Sequence, residues 1–249
     1  MAQFFWTAED FNVGDTPSAD WEPVGDIESF TIQQDANGKK YLKIDGTSWR
    51  RDALIYKDIA IVQDAEIWAR FVAIDSNTDI SFVTRGDWTD RTNLLQYRGD
   101  VTNTSNRLSK ISPFGAFAST PLVTPIGSMG QIRTRADGAA LKGRWWDEAD
   151  PEPTQWTLEA TDSLLTEGRV GLQFWISNDF RLYQIGFGTN GDPAPTGPVS
   201  TGITGDGSHQ ASPSTQTATG IRTVTAAGAH QASNATQAAS GSVSETITG

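Results

Sequence analysis

The stretch QIRTRADGAALKGRWW (131–146) carries the pattern that decides the fold. Two runs with the composition of β-strands flank Asp137-Gly138, a dipeptide that favours a two-residue turn between antiparallel strands. The stretch therefore predicts a β-hairpin, and Trp145 and Trp146 end its second strand.

The same signature recurs along the first three quarters of the chain. Further short runs rich in Ile, Val, Thr, Phe and Trp occupy residues 65–74, 79–86, 155–162, 169–177 and 180–188. In RVGLQFWIS (169–177), large apolar residues at 170, 172, 174 and 176 alternate with Gly171, Gln173 and Trp175. Such alternation places the two sets on opposite faces of a strand. No segment has a 3.6-residue period over 12 residues or more, so we expect an all-β sandwich of two antiparallel sheets.

Composition excludes several classes of function. The net charge of −11 and the pI near 4.6 argue against neutralising nucleic-acid phosphates or binding an anionic membrane surface. The absence of cysteine excludes disulfides, thiolate metal sites and cysteine catalysis, and only two histidines disfavour a serine–histidine triad. Without a signal-peptide pattern or a run of about 20 apolar residues, we expect a soluble chain with no membrane insertion.

The composition changes sharply near residue 192. All 24 aromatic residues precede it, and residues 193–249 contain three charged side chains. The boundary is marked by GTNGDPAPTGP (188–198), a Gly/Pro-rich stretch typical of a linker. We therefore expect a domain over residues 1–190, followed over 191–249 by a linker and a repetitive arm.

The C-terminal region contains a repeat with a period of 21 residues. GSHQASPSTQTATG (207–220) and GAHQASNATQAASG (228–241) are identical at nine of fourteen positions. The unit has too few large apolar groups for a core of its own, which leaves a disordered tail or an arm ordered by neighbouring chains. We favour the arm, and the repeated residues are its candidate assembly contacts: His209, Gln210, Thr215, Gln216, His230, Gln231, Thr236 and Gln237.

Three stretches resemble a known fold family. DFNVGDTPSADWEPVG (10–25), AEIWARFVAI (65–74) and RVGLQFW (169–175) resemble the concanavalin A-like lectin/glucanase jelly roll, in its LamG-like form found in phage and bacterial proteins. The resemblance covers residues 4–190, and the C-terminal repeats are similar to repeats of tailed-phage structural proteins. It implies an antiparallel jelly-roll sandwich with a C-terminal repetitive β-prone arm.

The resemblance also implies a function. We expect a virion structural protein, in a tail, fibre or head decoration, that displays the jelly roll for host adhesion or particle decoration. Its partners would be sister copies in a homo-oligomer, other virion proteins and host surface glycan. One alternative is a lectin-like glycan-binding module, and another is a polysaccharide-degrading glycoside hydrolase.

Tryptophans are the candidate glycan-binding residues, because exposed indole rings stack on sugar faces. Trp88 lies among polar residues in RGDWTDR (85–91). Trp145 and Trp146 are adjacent on a strand, so one ring must point away from the core. That outward ring could equally cover a neighbouring subunit or cap a sheet edge.

The acidic stretch WWDEADPEPTQW (145–156) raises the hydrolase alternative. Catalytic members of the resembled family often place their acids in Glu-x-Asp-x-x-Glu on one strand. Glu148 and Asp150 match the first two positions, but the third is Pro153, and Pro151 interrupts the strand. We therefore expect these acids to lie around an exposed turn, and expect no enzyme.

No cofactor is expected apart from calcium, the usual metal of the resembled fold. Carboxylates placed near the chain ends are the candidate ligands: Asp10, Asp15, Asp20, Asp179 and Asp192. None forms a D-x-D-x-D-G loop, and a solvated acidic surface explains them equally well.

Overall fold

A computed structural model describes residues 2–25, 27, 29–45, 52–73, 79–88, 95–102, 104–111, 115–123, 125–176 and 180–198. The strands in chain order are β1 (Ala2–Thr7), β2 (Trp21–Val24), β3 (Ser29–Gln34), β4 (Lys40–Asp45), β5 (Asp52–Tyr56), β6 (Ala65–Ala73), β7 (Asp79–Asp87), β8 (Leu95–Val101), β9 (Ser105–Ile111), β10 (Gly115–Pro121), β11 (Met129–Asp137), β12 (Ala140–Asp147), β13 (Leu158–Thr161), β14 (Arg169–Ile176) and β15 (Phe180–Thr189). A 3-10 turn, Ala8–Asp10, follows β1.

The described strands form two antiparallel sheets. The eight-stranded sheet has the order β13-β12-β11-β6-β15-β4-β3, with β1 also paired to β15. The seven-stranded sheet has the order β10-β9-β8-β7-β14-β5-β2. Neighbours such as β6 and β15 are far apart in sequence, as expected for a jelly roll. The predicted all-β jelly-roll sandwich is confirmed.

The hairpin predicted from residues 131–146 is present. β11 pairs with β12 from Gly130 opposite Asp147 to Asp137 opposite Ala140. Gly138 has φ +54°, the left-handed conformation that a two-residue hairpin turn requires. Since Asp137 is paired with Ala140, the two turn residues are Gly138 and Ala139, one position later than the predicted Asp137-Gly138.

The core lies between the sheets and is rich in aromatic side chains. In β14, Val170, Leu172 and Phe174 are buried in it, as the alternation predicts. The rings of Trp21, Tyr56 and Phe187 form a contiguous group, in which Tyr56 stacks on Phe187 with centroids 4.6 Å apart. Burial of such rings stabilises the sandwich by roughly 1.5–3 kcal/mol for each large side chain.

Residues 190–195, expected to belong to a linker, instead pack on the outward face of the eight-stranded sheet; we call them the clasp. Asn190 and Gly191 have φ +54° and +93°, and the Asp192 amide donates to the Thr189 carbonyl at 3.3 Å. Two positive φ values in succession define the tight turn that Asn-Gly favours. The chain therefore reverses direction directly after β15.

Two glycines of β15 provide the surface on which the clasp lies. A Cβ atom at Gly188 would lie 2.1 Å from the Asp192 carbonyl oxygen, and one at Gly186 would lie 2.0 Å from that of Pro195. Real side chains do not tolerate such approaches. The close contact of the two backbones therefore depends on the missing side chains.

Two buried charged side chains form hydrogen bonds with the clasp at Ala194. The Ala194 amide donates to Oε1 of Glu66 at 3.0 Å, and Nη1 of Arg133 donates to the Ala194 carbonyl at 2.8 Å. Both side chains lie on the outward face of the sheet, yet Glu66 is 3% and Arg133 6% exposed. The clasp is thus an integral part of the sandwich.

The chain divides into two compact units, Met1–Thr196 and Gly197–Gly249. Of the second unit only Gly197 and Pro198 are described, so the repeat and the arm stay predictions. In the part of the chain that is described, no helix has the length and apolar character needed to span a membrane.

Candidate functional site

A cleft of about 520 Å³ opens beside Trp88, on the side of the seven-stranded sheet that faces away from the core. We call it the Trp88 cleft. Its lining residues come from β2, β5, the end of β7 and the segment that leads into β14. The cleft thus gathers parts of the chain that lie more than 140 residues apart, from Glu22 to Arg169.

Backbone contacts between glycines form the floor of the Trp88 cleft. Val62 and Gly168 exchange two hydrogen bonds of 2.9 Å, and a Cβ atom on Gly168 would lie 2.5 Å from the Gly86 nitrogen. A Cβ on Gly86 would in turn lie 2.7 Å from the indole of Trp88. The missing side chains let the ring lie against the backbone.

Trp88 is therefore a partly buried ring whose position is fixed. Its indole Nε1 has no hydrogen-bond partner among the described residues. Apolar side chains continue the wall, including Leu165 and Ile61, and Ile61 is 62% exposed. A fixed indole next to exposed apolar surface is the kind of wall on which a flat apolar ligand face stacks.

Charged side chains form the rim of the Trp88 cleft. Arg169 donates to Glu22 at 2.9 Å, which links β14 to β2 across the cleft. Asp87 and Glu167 add two exposed carboxylates. The rim therefore offers hydrogen-bond donors and acceptors next to an aromatic wall.

The same outward face of the sheet carries a buried polar network. Arg98 donates to Ser109 and to Gln173, both at 2.8 Å, and Ser109 donates to Asp100 at 2.6 Å. Asp100 also accepts from Arg107 at 2.9 Å and is 0% exposed. A paired network of this kind keeps the sheet rigid.

The network also contains polar atoms without hydrogen-bond partners in the described structure: Ser81 Oγ, Gln96 Oε1 and Nε2, and Gln173 Nε2. Buried atoms of this type are usually satisfied by ordered water. Sequence patterns gave no indication of this network, because its members alternate with core residues and resemble ordinary solvent-facing positions.

Of the three tryptophans predicted to bind glycan, Trp88 lines the cleft described above. Trp145 belongs to the core between the sheets and is 2% exposed. Trp146 does point away from that core, but it packs with Trp68 and Ala194 and is 3% exposed. One of the paired rings thus points away from the core, as expected, but the clasp covers it, so neither Trp145 nor Trp146 is open to a ligand in the described structure.

Trp156, which the pattern suggests is a core residue at the start of a strand, is also placed differently. It precedes β13 and is partly exposed, with the Arg144 guanidinium 4.6 Å from its ring centroid. A cation over an indole face stabilises such an arrangement at the surface. The ring therefore lies on the outward face of the eight-stranded sheet.

The acids around residues 147–159 form ion pairs with neighbouring strands. Glu148 pairs with Arg70, Glu152 with Arg133 and Arg144, and Glu159 with Lys142. Asp150 is exposed in the turn after β12. Glu148 is thus engaged by an arginine, and Asp150 lies in an exposed turn and not on a strand beside it.

Two of the calcium candidates, Asp15 and Asp20, accept hydrogen bonds from groups of the protein itself. Asp20 accepts from the Trp6 indole at 3.1 Å, and Asp15 accepts from the Asn12 amide at 2.8 Å. Burial raises the pKa of both Asp10 and Asp20, which disfavours their charged forms. Among the described residues, no group of three or more acidic or histidine side chains could hold a metal ion. Asp179 lies outside those residues, and calcium stays a prediction.

The eight assembly residues of the repeats also lie outside the described residues: His209, Gln210, Thr215, Gln216, His230, Gln231, Thr236 and Gln237. Their role is therefore still a prediction.

Sequence comparison finds no matching family model and no matching curated protein. Comparison with solved structures does find similar folds. Lectin I-B4 from Griffonia simplicifolia, in its metal-free form, matches with a TM-score of 0.51 at 10% identity, over 76% of this chain and all (100%) of the lectin.

Two other solved structures match less well. Lectin II from Ulex europaeus has a TM-score of 0.49 at 11% identity, over 76% of this chain and 98% of the lectin. The carbohydrate-binding module CBM66 from Bacillus subtilis has a TM-score of 0.47 at 15% identity, over 66% of this chain and 91% of the module. At such identities the likeness concerns the fold alone, which for the described part of residues 2–196 is a jelly-roll sandwich.

Proposed function

We propose that this chain is a glycan-binding module that holds sugar without cleaving it. The observation that carries the proposal is the Trp88 cleft, where a fixed indole wall adjoins the Arg169–Glu22 pair. Sugars present an apolar face of C–H groups and a rim of hydroxyls, and these match an aromatic wall with a charged rim. A volume of about 520 Å³ is within the range typical of small-ligand sites.

The fold supports the same function. Lectin I-B4 is by its name a sugar-binding protein and shares the jelly roll over most of this chain. Fold alone does not define function, so the proposal depends on the cleft. The ion pairs of Glu148 and Glu152 support binding without hydrolysis, since these carboxylates are engaged with arginines.

A glycan array of bacterial surface polysaccharides, probed with the full chain, tests this function. Trp88→Ala should abolish the signals, whereas Trp156→Ala, which removes an indole from the other sheet, should leave them unchanged. An array without any signal, or one on which both variants behave alike, contradicts the proposal.

The C-terminal repeats favour a second function, that of a virion structural protein. We propose that residues 197–249 act as an arm that binds sister copies or other virion proteins, and that the jelly roll is displayed for adhesion or decoration. The support is the 21-residue repeat and its low charge. Many weak sugar sites in one oligomer would bind a host surface by multivalency.

Deleting residues 197–249 tests the arm, because the deletion leaves the clasp intact. We expect the full chain to form an oligomer in analytical ultracentrifugation and the deletion variant to be a monomer with the same unfolding midpoint. A full chain that is already monomeric would refute a self-assembling arm.

A further inference from the structure

We infer that Arg85 is a positioning residue of the Trp88 cleft: from inside the sandwich, its guanidinium fixes two chain segments that form the apolar wall beside the indole. This inference rests on the proposed glycan-binding function and names a residue that shapes that site. Arg85 is not among the described residues that line the cleft. Its burial, its hydrogen bonds and the packing of Gly168 carry the inference.

Arg85 lies between the two sheets, with its guanidinium shielded from water. The side chain is 1% exposed, and the residue is paired in register with Tyr97, which belongs to the core. Nη1 donates to the Gly138 carbonyl at 2.7 Å, so the guanidinium reaches the hairpin turn of the opposite sheet. Burying a guanidinium carries a large desolvation cost, and apolar side chains of similar volume often serve stability equally well. An arginine here is therefore explained better by the groups that its planar fork of donors holds than by packing.

Arg85 binds both segments that continue the apolar wall of the cleft. Nη1 also donates to the carbonyl of Leu165, a lining residue, at 3.0 Å. Nη2 donates to Oδ1 of Asp64 at 3.1 Å, and Asp64 lies three residues beyond Ile61, another lining residue. One rigid guanidinium thus ties the two segments together, which a lysine, with a single nitrogen at its tip, cannot do in the same geometry.

The groups bound by Arg85 are also held from other sides. Oδ1 of Asp64 accepts the Gly138 amide at 2.8 Å, and the Asp64 carbonyl accepts the Asn190 amide at 2.9 Å. The Leu165 amide donates to the Tyr97 hydroxyl at 2.9 Å. Loss of the guanidinium fork should therefore shift the two segments locally while the sandwich stays folded.

Backbone packing connects these segments to the indole. A Cβ atom on Gly168 would lie 2.5 Å from the Gly86 nitrogen and 3.1 Å from Cα of Arg85, so the segment that follows Leu165 lies directly on β7. A Cβ on Gly86 would lie 2.7 Å from the indole of Trp88, which rests on the same stretch of backbone. A displacement of the segment therefore reaches the surface against which the ring lies.

Arg85→Lys tests the inference, because it keeps the positive charge and loses the planar fork. The first readout needs no sugar: fluorine NMR of the full chain labelled with fluorotryptophan, in which Trp88→Phe and Trp156→Phe assign two of the signals. We expect Arg85→Lys to move the Trp88 signal by more than its linewidth and to leave the Trp156 signal in place. Spectra are recorded under conditions in which urea unfolding shows the variant to be folded.

Two further variants separate positioning from stability. Arg133→Lys alters an equally buried arginine with several partners on the eight-stranded sheet, so it should lower the urea midpoint and leave the Trp88 signal unmoved. Asp64→Ala removes an acceptor of the Arg85 guanidinium from a partly exposed residue and should move the Trp88 signal as well. If Arg85→Lys does not fold, Asp64→Ala decides.

The second readout is the glycan array of bacterial surface polysaccharides. We expect the protein concentration that gives half of the maximal signal to rise roughly tenfold for Arg85→Lys, because a wall that is no longer preorganised binds more weakly. Arg133→Lys should bind as the wild type does.

The outcomes distinguish the two proposals. If the Trp88 signal stays in place in Arg85→Lys and Asp64→Ala, or if Arg133→Lys moves it equally, Arg85 does not position the cleft and the inference is overturned. If the array responds to the wild type and Arg85→Lys binds with equal affinity, glycan binding stands and the inference fails. If the Trp88 signal moves as expected and the array is blank for the wild type, the positioning of the cleft by Arg85 stands and the glycan-binding function fails.

Discussion

Glu66 and Ala194 are 128 residues apart in sequence, and the Ala194 amide donates to the buried Glu66 carboxylate at 3.0 Å. The same carboxylate forms ion pairs with Arg133 and Arg135. One buried charge thus joins the end of the sandwich to β6 and β11. Removing it would leave Arg135 and the Ala194 amide without this partner, while Arg133 would keep its ion pair with Glu152.

Glu66→Gln should therefore destabilise the protein by about 3–5 kcal/mol, the usual cost of breaking a buried ion pair. Urea unfolding followed by tryptophan fluorescence measures the change, and the amide of Ala194 should exchange its hydrogen faster. The control is Glu159→Gln, which breaks an exposed pair with Lys142 and should cost under about 1 kcal/mol. Equal costs for the two variants would contradict the role assigned to Glu66.

Gly186→Ala should displace the clasp, because the added methyl group would lie 2.0 Å from the Pro195 carbonyl oxygen. Forcing an atom into a packed contact costs about 1–3 kcal/mol, and we expect the urea midpoint to fall with an unchanged slope. Gly197→Ala is the matched control, since nothing lies within 4 Å of a Cβ at that position. An unchanged midpoint for Gly186→Ala would mean that the clasp is not tightly packed.

Trp146→Ala should affect stability and leave sugar binding unchanged. The ring is buried against Trp68 and Ala194, so its removal should cost about 3–5 kcal/mol. Urea denaturation measures the loss of stability. Calorimetry, under conditions in which the variant is folded, measures the affinity for sugar. A variant that is stable but no longer binds sugar would show that Trp146 belongs to the site after all.

Asp162 should contribute stability that is lost in acid. Burial on its own would raise the pKa of Asp162, but hydrogen bonds from Lys110 and from the Tyr97 hydroxyl outweigh it and lower that pKa below its ordinary value. A lowered pKa in the folded state means that the contribution is present above the unfolded-state pKa and disappears as the pH falls through the folded-state pKa.

The stability difference between the wild type and Asp162→Asn should accordingly be largest near neutral pH and shrink below about pH 4. Denaturation curves over a pH series measure it. Asp150→Asn, at an exposed turn position, is the control, and its free energy of unfolding should differ little from that of the wild type throughout the series. If the Asp162→Asn difference does not change with pH, the ionised carboxylate is not the stabilising form.

Local patterns were sufficient to predict about half of the strands, and β1 to β5 and β8 to β10 were not among them. The run 169–177 corresponds to β14 and the run 65–74 to β6, each within one residue at its ends, because alternation and turn residues act over a few positions. Asn190-Gly191 was an equally strong turn signal, but its Gly/Pro-rich surroundings suggested a linker. The hairpin was predicted because strand-like runs flank Asp137-Gly138 on both sides, although its turn lies one residue later, at Gly138 and Ala139.

The sequence by itself determined the class of fold: alternating apolar residues require a sheet with one buried face, and many such strands without helices require two packed sheets. The tertiary structure decided which tryptophan is accessible. Trp146 is covered by Ala194, 48 positions further along the chain, and Glu22 meets Arg169 across 147 positions. Periodicity shows only on which face of a strand a side chain lies. Whether that side chain is buried depends on what packs on the face, and here the packing segments come from distant parts of the chain.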